Sequence, residues 1–297
     1  MIPTPPIVRL SEAVATARQS GAPVVALESS VLAQGLPEPA NRQADERMRL
    51  AIAAVVRGVP TMGLAGADLE RFLRRDGVHK VSARDLAWAV ATGADGATTV
   101  AASLALCTEA QLRVFATGGI GGVHREAPFD ESADLLELSR SPVITVCAGA
   151  KSILDLPATV ERLETLGVTV IGYETDEFPG FFTRHTGLAL SASTTSVACI
   201  ADTFRAQVAL GRPSALLVVQ APPAREALDG LEVDAAVTAA LAEARVAGIR
   251  GAKVTPFLLA AVERATGGRS LQANLALLEA NASLAAAIAV ELGALTG

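Results

Sequence analysis

Short runs of aliphatic and β-branched residues alternate with Ala/Leu-rich stretches of helical length through most of the chain. That alternation restricts it to an α/β fold. The runs Val24–Leu27, Val114–Ala116, Val143–Val146, Val168–Tyr173 and Ala215–Val219 are apolar with a threonine as their one polar residue type, which suits strands covered on both faces. The expected architecture is a three-layer α/β/α sandwich with a largely parallel or mixed central sheet and a helical C-terminal third. Polar residues just after such strands then lie at their carboxyl ends, where open α/β sheets bind ligands. Ser11 caps a predicted helix to Gln19 that stops at Gly21, Asn41–Arg57 reads as a helix ending at Gly58, and Ser82 caps Ala83–Thr92 ahead of Gly93. A further helix starts near Thr98. From Asp234 to Leu292 the pattern is almost wholly helical, interrupted at Gly248, Gly251, Gly267 and Gly268. Neither a linker, a charge block nor an internal repeat divides the chain, so residues 1–297 read as one domain.

Hydrophobic residues make up 51% of the sequence and aromatic ones only 3%, so the core is aliphatic and disorder is excluded. The formal net charge of −6 and the scarcity of aromatic rings argue against a general nucleic-acid binder, which needs phosphate-neutralising charge and stacking platforms. Any phosphate bound should be small and held locally. Cys107, Cys147 and Cys199 are widely spaced among apolar or small neighbours, as expected of buried, reduced thiols in a cytoplasmic protein; a nucleophilic cysteine is the minority reading. The N-terminus lacks the pattern of a signal peptide, and the longest apolar stretches are broken by Ser191–Ser196 and by Glu291. The expectation is a cytoplasmic protein with no membrane partner.

Chemistry concentrates in a few places. Residues 115–126 place four glycines in five positions after a strand, a loop whose amides could cradle an anion with Thr117, His124 and Arg125 as side-chain donors; a tightly packed turn is an equal alternative. It matches neither the Walker nor the dinucleotide spacing. Asp130, Glu131, Ser132, Asp134 and Glu137 follow as the start of an amphipathic helix, with Asp130 a candidate oxygen ligand for Mg²⁺ or Mn²⁺. Lys151 follows a strand among small apolar residues, where desolvation favours the neutral, nucleophilic amine, although a surface lysine is the simpler reading. Lys80 either binds phosphate or faces solvent. Glu28 ends an apolar strand and is either a buried acid or the first residue of a polar loop.

In this order, Ala26–Ser30 with Gly35–Asn41, Lys80 with Ser82–Leu86, Gly96–Val100, Thr117–Arg125, Ser132–Asp134, Ala148–Asp155, Phe178-Pro179, Lys253–Phe257 and Asn274 resemble the pseudouridine-5′-phosphate glycosidase family over nearly the whole chain. The resemblance implies reversible cleavage of the C–C glycosidic bond of pseudouridine 5′-phosphate to uracil and ribose 5-phosphate, a divalent metal, usually Mn²⁺, and a homotrimer. By position it makes Glu28 the proton donor, Lys151 the nucleophile and Asp130 the metal ligand. It assigns substrate binding to Lys80, Val100, Ser132, Ala133 and Asp134, with Thr117, His124 and Asn274 as further sugar, phosphate or base ligands. A carbon leaving group cannot depart like an alkoxide. Lys151 therefore forms an iminium at C1′ of ring-opened ribose and acts as electron sink, while Glu28 protonates C5 of the base. Gln34, Glu126 and Gln220-Ala-Pro-Pro223 depart from the family pattern. A related lysine-dependent enzyme acting on another phosphosugar or C-nucleoside, or a non-catalytic phosphosugar-binding protein, are the alternative readings.

Overall fold

The computed structural model describes residues 7–36, 40–41, 51–125, 129–249 and 254–293. Its strands are β1 (Arg9–Leu10), β2 (Ala26–Glu28), β3 (Ala51–Val56), β4 (Val59–Met62), β5 (Val78–Val81), β6 (Asp95–Thr98), β7 (Val114–Ala116), β8 (Val123–His124), β9 (Ile144–Cys147), β10 (Leu154–Asp155), β11 (Thr169–Tyr173), β12 (Ser193–Thr194) and β13 (Leu216–Val219). Seven of them run parallel in the order β3-β2-β7-β9-β13-β11-β12. Both β4 and β6 join β3 antiparallel, and β1 and β5 extend them in parallel, giving a mixed sheet of 11 strands. A separate antiparallel pair, β8 and β10, lies outside it.

Strand alternation explains why the runs are so largely apolar. Val114, Ala116, Ile144, Val146, Leu216 and Val218 point to one face, where Ile200 and Phe204 of the helix Val197–Ala209 and Leu284, Ala285 and Ile288 of the helix Arg269–Gly293 cover them. The intervening Phe115, Cys147, Leu217 and Val219 belong to the core on the other face, shared with Leu104 of Val100–Ala110 and Leu135 of Ala133–Leu138. Both faces are covered, so no polar alternation is needed. By length and composition Arg269–Gly293 could cross a membrane, yet it lies packed on β7, β9 and the helix Val197–Ala209, and this packing accounts for its apolar surface.

The strands after Pro23, Arg113, Pro142, Gly167 and Ser214 lie where the sequence puts them, to within two residues. So does the Ser11 cap, whose Oγ accepts the Val14 amide at 3.3 Å; the C-terminal helices Gly230–Val246, Val254–Ala265 and Arg269–Gly293 also form, the first starting four residues ahead of Asp234. One helix does not form as expected. Residues 51–56 of the predicted Asn41–Arg57 helix are instead the central strand β3, buried throughout; residues 42–50 lie outside the described set. Ala-Ile-Ala-Ala-Val-Val has no polar face, so its periodicity cannot separate a buried helix from a buried strand, and pairing with β2, β4 and β6 decides it. The acidic segment after Phe129 is also shorter in helix than expected: only Ala133–Leu138 is helical, and Asp130 precedes it outside the helix, its carbonyl accepting the His124 amide at 2.9 Å. Cys107 and Cys147 are buried, but Cys199 is exposed, because it lies on the outer side of its helix, away from the side on which Ile200 and Phe204 meet the sheet.

Candidate active site

The chain goes from β2 to β3 on one side and from β3 across to β7 on the other, so the order of the sheet switches between β2 and β7. Ligands enter open α/β sheets at such a point, outside the carboxyl ends of the strands. Glu28 ends β2, Thr117 follows β7, and Lys151 follows β9 by four residues, on three neighbouring strands. The register Leu27 to Ala116 and Ala116 to Val146 carries these ends into one row.

Glu28 is 5% exposed. Its Oε1 accepts the Thr117 hydroxyl at 2.8 Å, while Oε2 is buried with no partner among the described residues. Burial pushes the Glu28 carboxyl up to about 7; the Thr117 hydrogen bond and then the Lys151 charge oppose this, and Asp134 adds a smaller rise. The sequence left Glu28 as either buried acid or loop residue, and the structure decides for the buried acid.

Lys151 is fixed by its neighbours on both sides. Its amide donates to the Ile120 carbonyl at 3.1 Å, the Ile120 amide donates to the Gly149 carbonyl at 3.0 Å, and Nζ donates to the Gly119 carbonyl at 2.9 Å. The turn before it needs glycine: Gly149 has φ +77°, and an added Cβ would stand 1.9 Å from the Pro179 carbonyl oxygen. Gly149→Ala should therefore destabilise the fold by at least about 2 kcal/mol, read as a lowered urea midpoint. An unchanged midpoint would mean that this turn relaxes freely.

The cleft around these groups has two lobes. One is lined by Gly118, Gly119, Phe181, Pro256, Leu259 and Asn274 and is largely apolar. The other holds Arg84, Val100, His124, Asp130, Ser132 and Ala133. Glu28, Lys80 and Lys151 stand where they meet, with Thr117 in the first lobe and Asp134 in the second. Every site residue that the family resemblance assigns thus borders a single cleft, whereas Arg125 does not. Lys80 faces the open cleft. Desolvation by the surrounding protein, and then the charge of Lys151, hold its ammonium below the usual lysine range against the pull of Asp134.

Several of these residues do other work than the sequence indicates. The Thr117 hydroxyl is spent on Glu28. Asp134 is buried, with Oδ1 accepting the Ala101 amide at 2.9 Å and Oδ2 the Gly121 amide at 2.8 Å, so it ties the glycine loop to a helix start. Arg125 donates to the carbonyls of Ser152 and Leu154 and to Asp234 rather than into the cleft. The glycines of the loop serve close packing: a Cβ at Gly119 would meet the Phe181 ring at 2.6 Å, and one at Gly122 the Thr159 hydroxyl at 2.3 Å. Two of its amides, those of Ile120 and Gly121, are already bonded within the protein, so the packed-turn alternative holds for them. Burial raises the thiols of Cys107 and Cys147, the latter up to about 12, which makes both unreactive. Phe181 and Leu259 carry no signal in the sequence, because nothing there distinguishes a cleft-lining apolar residue from a core one. Glu126 and Lys253 lie outside the described residues, as does the side chain of Gln34.

An acid titrating near neutrality beside a lysine amine, in a cleft at the switch point of a sheet, defines the site of an enzyme acting on a small molecule. The indigoidine synthase A like protein family matches residues 13–291, and the chain belongs to it. Curated relatives carry the name expected from the sequence. The pseudouridine-5′-phosphate glycosidase of Gemmatimonas aurantiaca is 64% identical over 96% of this chain and 96% of its own, and that of Chloroflexus aurantiacus is 47% identical over 97% and 100%. Among solved structures, the prealnumycin C-glycosynthase AlnA in complex with ribulose 5-phosphate superposes with TM-score 0.89 at 35% identity, covering 98% of each chain. An indigoidine synthase A-like protein from Thermotoga maritima gives 0.88 at 35% identity over 97% of each.

Proposed function

We propose that the protein reversibly cleaves the C–C glycosidic bond of pseudouridine 5′-phosphate, giving uracil and ribose 5-phosphate. The observation that carries this reading is the pairing of a buried carboxyl near neutrality, one oxygen held by Thr117 and the other unpartnered, with a lysine amine in the same cleft. In this mechanism the neutral Lys151 amine bonds to C1′ as the C1′–O4′ bond breaks, so that the ribose ring opens and O4′ leaves as a hydroxyl with the proton the amine gives up. Glu28 then gives its proton to C5 of the base, the C1′–C5 electron pair leaves with uracil, and the lysine nitrogen takes up the deficit as an iminium. Water hydrolyses the iminium to ribose 5-phosphate and frees the amine. Asp134 does not serve as the second carboxylate of a paired-carboxylate route, because both its oxygens are engaged by backbone amides. The apolar lobe suits the flat base. The lobe with Lys80, Arg84 and His124 suits the phosphate. Chromatographic detection of uracil after incubation with pseudouridine 5′-phosphate tests the reading. Binding of ribose 5-phosphate without turnover would leave only a phosphosugar-binding protein, and turnover of a different C-glycoside would make the chain a relative with another substrate.

The reading includes a divalent metal, most simply Mn²⁺. No group of three His, Cys, Asp or Glu among the described residues could cage a cation, but the exposed Asp130 at the cleft fits a single hard oxygen ligand whose shell water completes. A bound ion there would supply positive charge beside the phosphosugar. Exhaustive chelation should then abolish most activity without lowering the melting temperature, since so weak a site contributes little to folding. Full activity in protein shown to be metal-free would remove Asp130 from this role. A cytoplasmic homotrimer completes the proposal. Trp88, 73% exposed, offers apolar surface for such an assembly, and sedimentation would read the oligomeric state.

A further inference from the structure

Beneath the cleft floor lies a pair of carboxamides that the reaction does not touch. Asn281, two helical turns beyond Asn274 on the helix Arg269–Gly293, is 1% exposed. Its Nδ2 donates to the Thr117 carbonyl at 2.8 Å and stands 3.3 Å from the Gly118 carbonyl. Its Oδ1 accepts Nε2 of Gln220 at 2.8 Å, and the Gln220 amide donates to the Cys147 carbonyl at 3.1 Å. These bonds join the ends of β7, β9 and β13 to the C-terminal helix. Neither side chain lines the cleft. Burying a carboxamide is costly unless it is bonded, and an apolar side chain would fill the space at lower cost. The Asn281 carboxamide faces the two residues that follow β7, the first of which, Thr117, carries the hydroxyl on Glu28.

We propose that Asn281, braced by Gln220, is a positioning residue for the acid. It fixes the backbone of Thr117 so that Oγ1 meets Glu28 Oε1 and Oε2 is left for the substrate. Through the same helix it sets the register of Asn274 against Gly118, where the side-chain Oδ1 already comes within 3.3 Å of the space above that glycine. The charged groups that act on Glu28 are Lys151 and Asp134, with Lys80 in the same cleft, and Asn281 touches none of them. Its influence on Glu28 therefore runs through Thr117, whose hydroxyl lowers the carboxyl from where burial alone would put it.

The inference rests on the reading of Glu28 as the acid, so its test uses a signal independent of turnover. Carbon NMR of the Glu28 carboxyl in the free enzyme, assigned by its disappearance in Glu28→Gln, should titrate near 7 in the natural protein. Thr117→Val and Asn281→Ala should each move that midpoint upward by about one pH unit, and Gln220→Leu by about half as much. The double variant Thr117→Val with Asn281→Ala should move it no further than Thr117→Val alone. In parallel, Asn281→Ala should lower kcat by roughly tenfold with KM nearly unchanged. Midpoints unmoved in both Asn281→Ala and Gln220→Leu, or shifts that add to that of Thr117→Val, would overturn the proposal. Should Asn281→Ala fail to fold, Gln220→Leu carries the test. A moved midpoint with unchanged kcat would support the positioning and overturn the acid role of Glu28, so the two readings fail separately.

Discussion

Lys151→Arg and Lys151→Ala should be comparably inactive, each at least about ten-thousandfold below the natural enzyme, with the fold retained. Arginine keeps a positive charge in the cleft but its guanidinium stays protonated and cannot bond to C1′. If charge alone mattered, Arg would rescue what Ala loses. The surroundings argue for the amine: Nζ is already aimed by the Gly119 carbonyl, and the backbone of Lys151 is clamped to Ile120 on the neighbouring loop. Fixing the nucleophile in this way supplies part of the barrier reduction as orientation. Borohydride treatment with ribose 5-phosphate should leave an adduct on Lys151 by mass spectrometry. An adduct on Lys80 instead, or substantial turnover of pseudouridine 5′-phosphate by Lys151→Arg, would sink the assignment. Lys80 is the instructive comparison, because desolvation by the surrounding protein favours its neutral form, yet it stands at the open junction of the lobes, and no backbone carbonyl among the described residues holds its amine as Gly119 holds that of Lys151. Its loss should raise KM for the phosphosugar more than it lowers kcat.

What the sequence revealed and what it concealed divide along physical lines. The buried strands β7, β9, β11 and β13 were legible because each is a short apolar run bounded by glycine, proline or charge, and the topology then forces their following residues onto one edge. Glu28, Thr117 and Lys151 were therefore candidates before any contact was known. Strand β3 was not legible, since six small and aliphatic residues buried on all sides carry no period. Roles set by partners far away in sequence were hidden as well: Thr117 reads as a ligand for phosphate until its 89-residue reach to Glu28 is seen. Asp134 likewise reads as a substrate carboxylate until the amides of Ala101 and Gly121 are seen to occupy it. The glycine loop was recognised for its composition, but composition cannot say whether missing side chains make room for an anion or for Phe181 and Thr159.

Glu28→Gln should lower kcat by at least about a hundredfold while leaving KM within a few-fold, because the acid acts in the transition state and the amide preserves its shape. The pH dependence fixes the protonation state that matters. Only the protonated carboxyl can give a proton to C5, so kcat of the natural enzyme should fall as pH rises through about 7, and this limb should be missing from the residual activity of Glu28→Gln. The same group should make stability fall in the same direction with pH. The folded protein holds the Glu28 proton to about 7, whereas the unfolded chain releases it near the ordinary glutamate value of 4.5. Between those values the folded state binds more protons than the unfolded one, so stability declines as pH rises across that window. At ~1.4 kcal/mol per pH unit the loss is on the order of 3 kcal/mol. Gln at this position has no charge to bury. Glu28→Gln should accordingly be more stable than the natural protein at pH 8 and about equally stable at pH 4.5, as read from urea midpoints at the two values. Equal midpoints at pH 8, or a kcat that is flat through pH 7, would show that Glu28 is ionised in the resting enzyme and cannot be the acid.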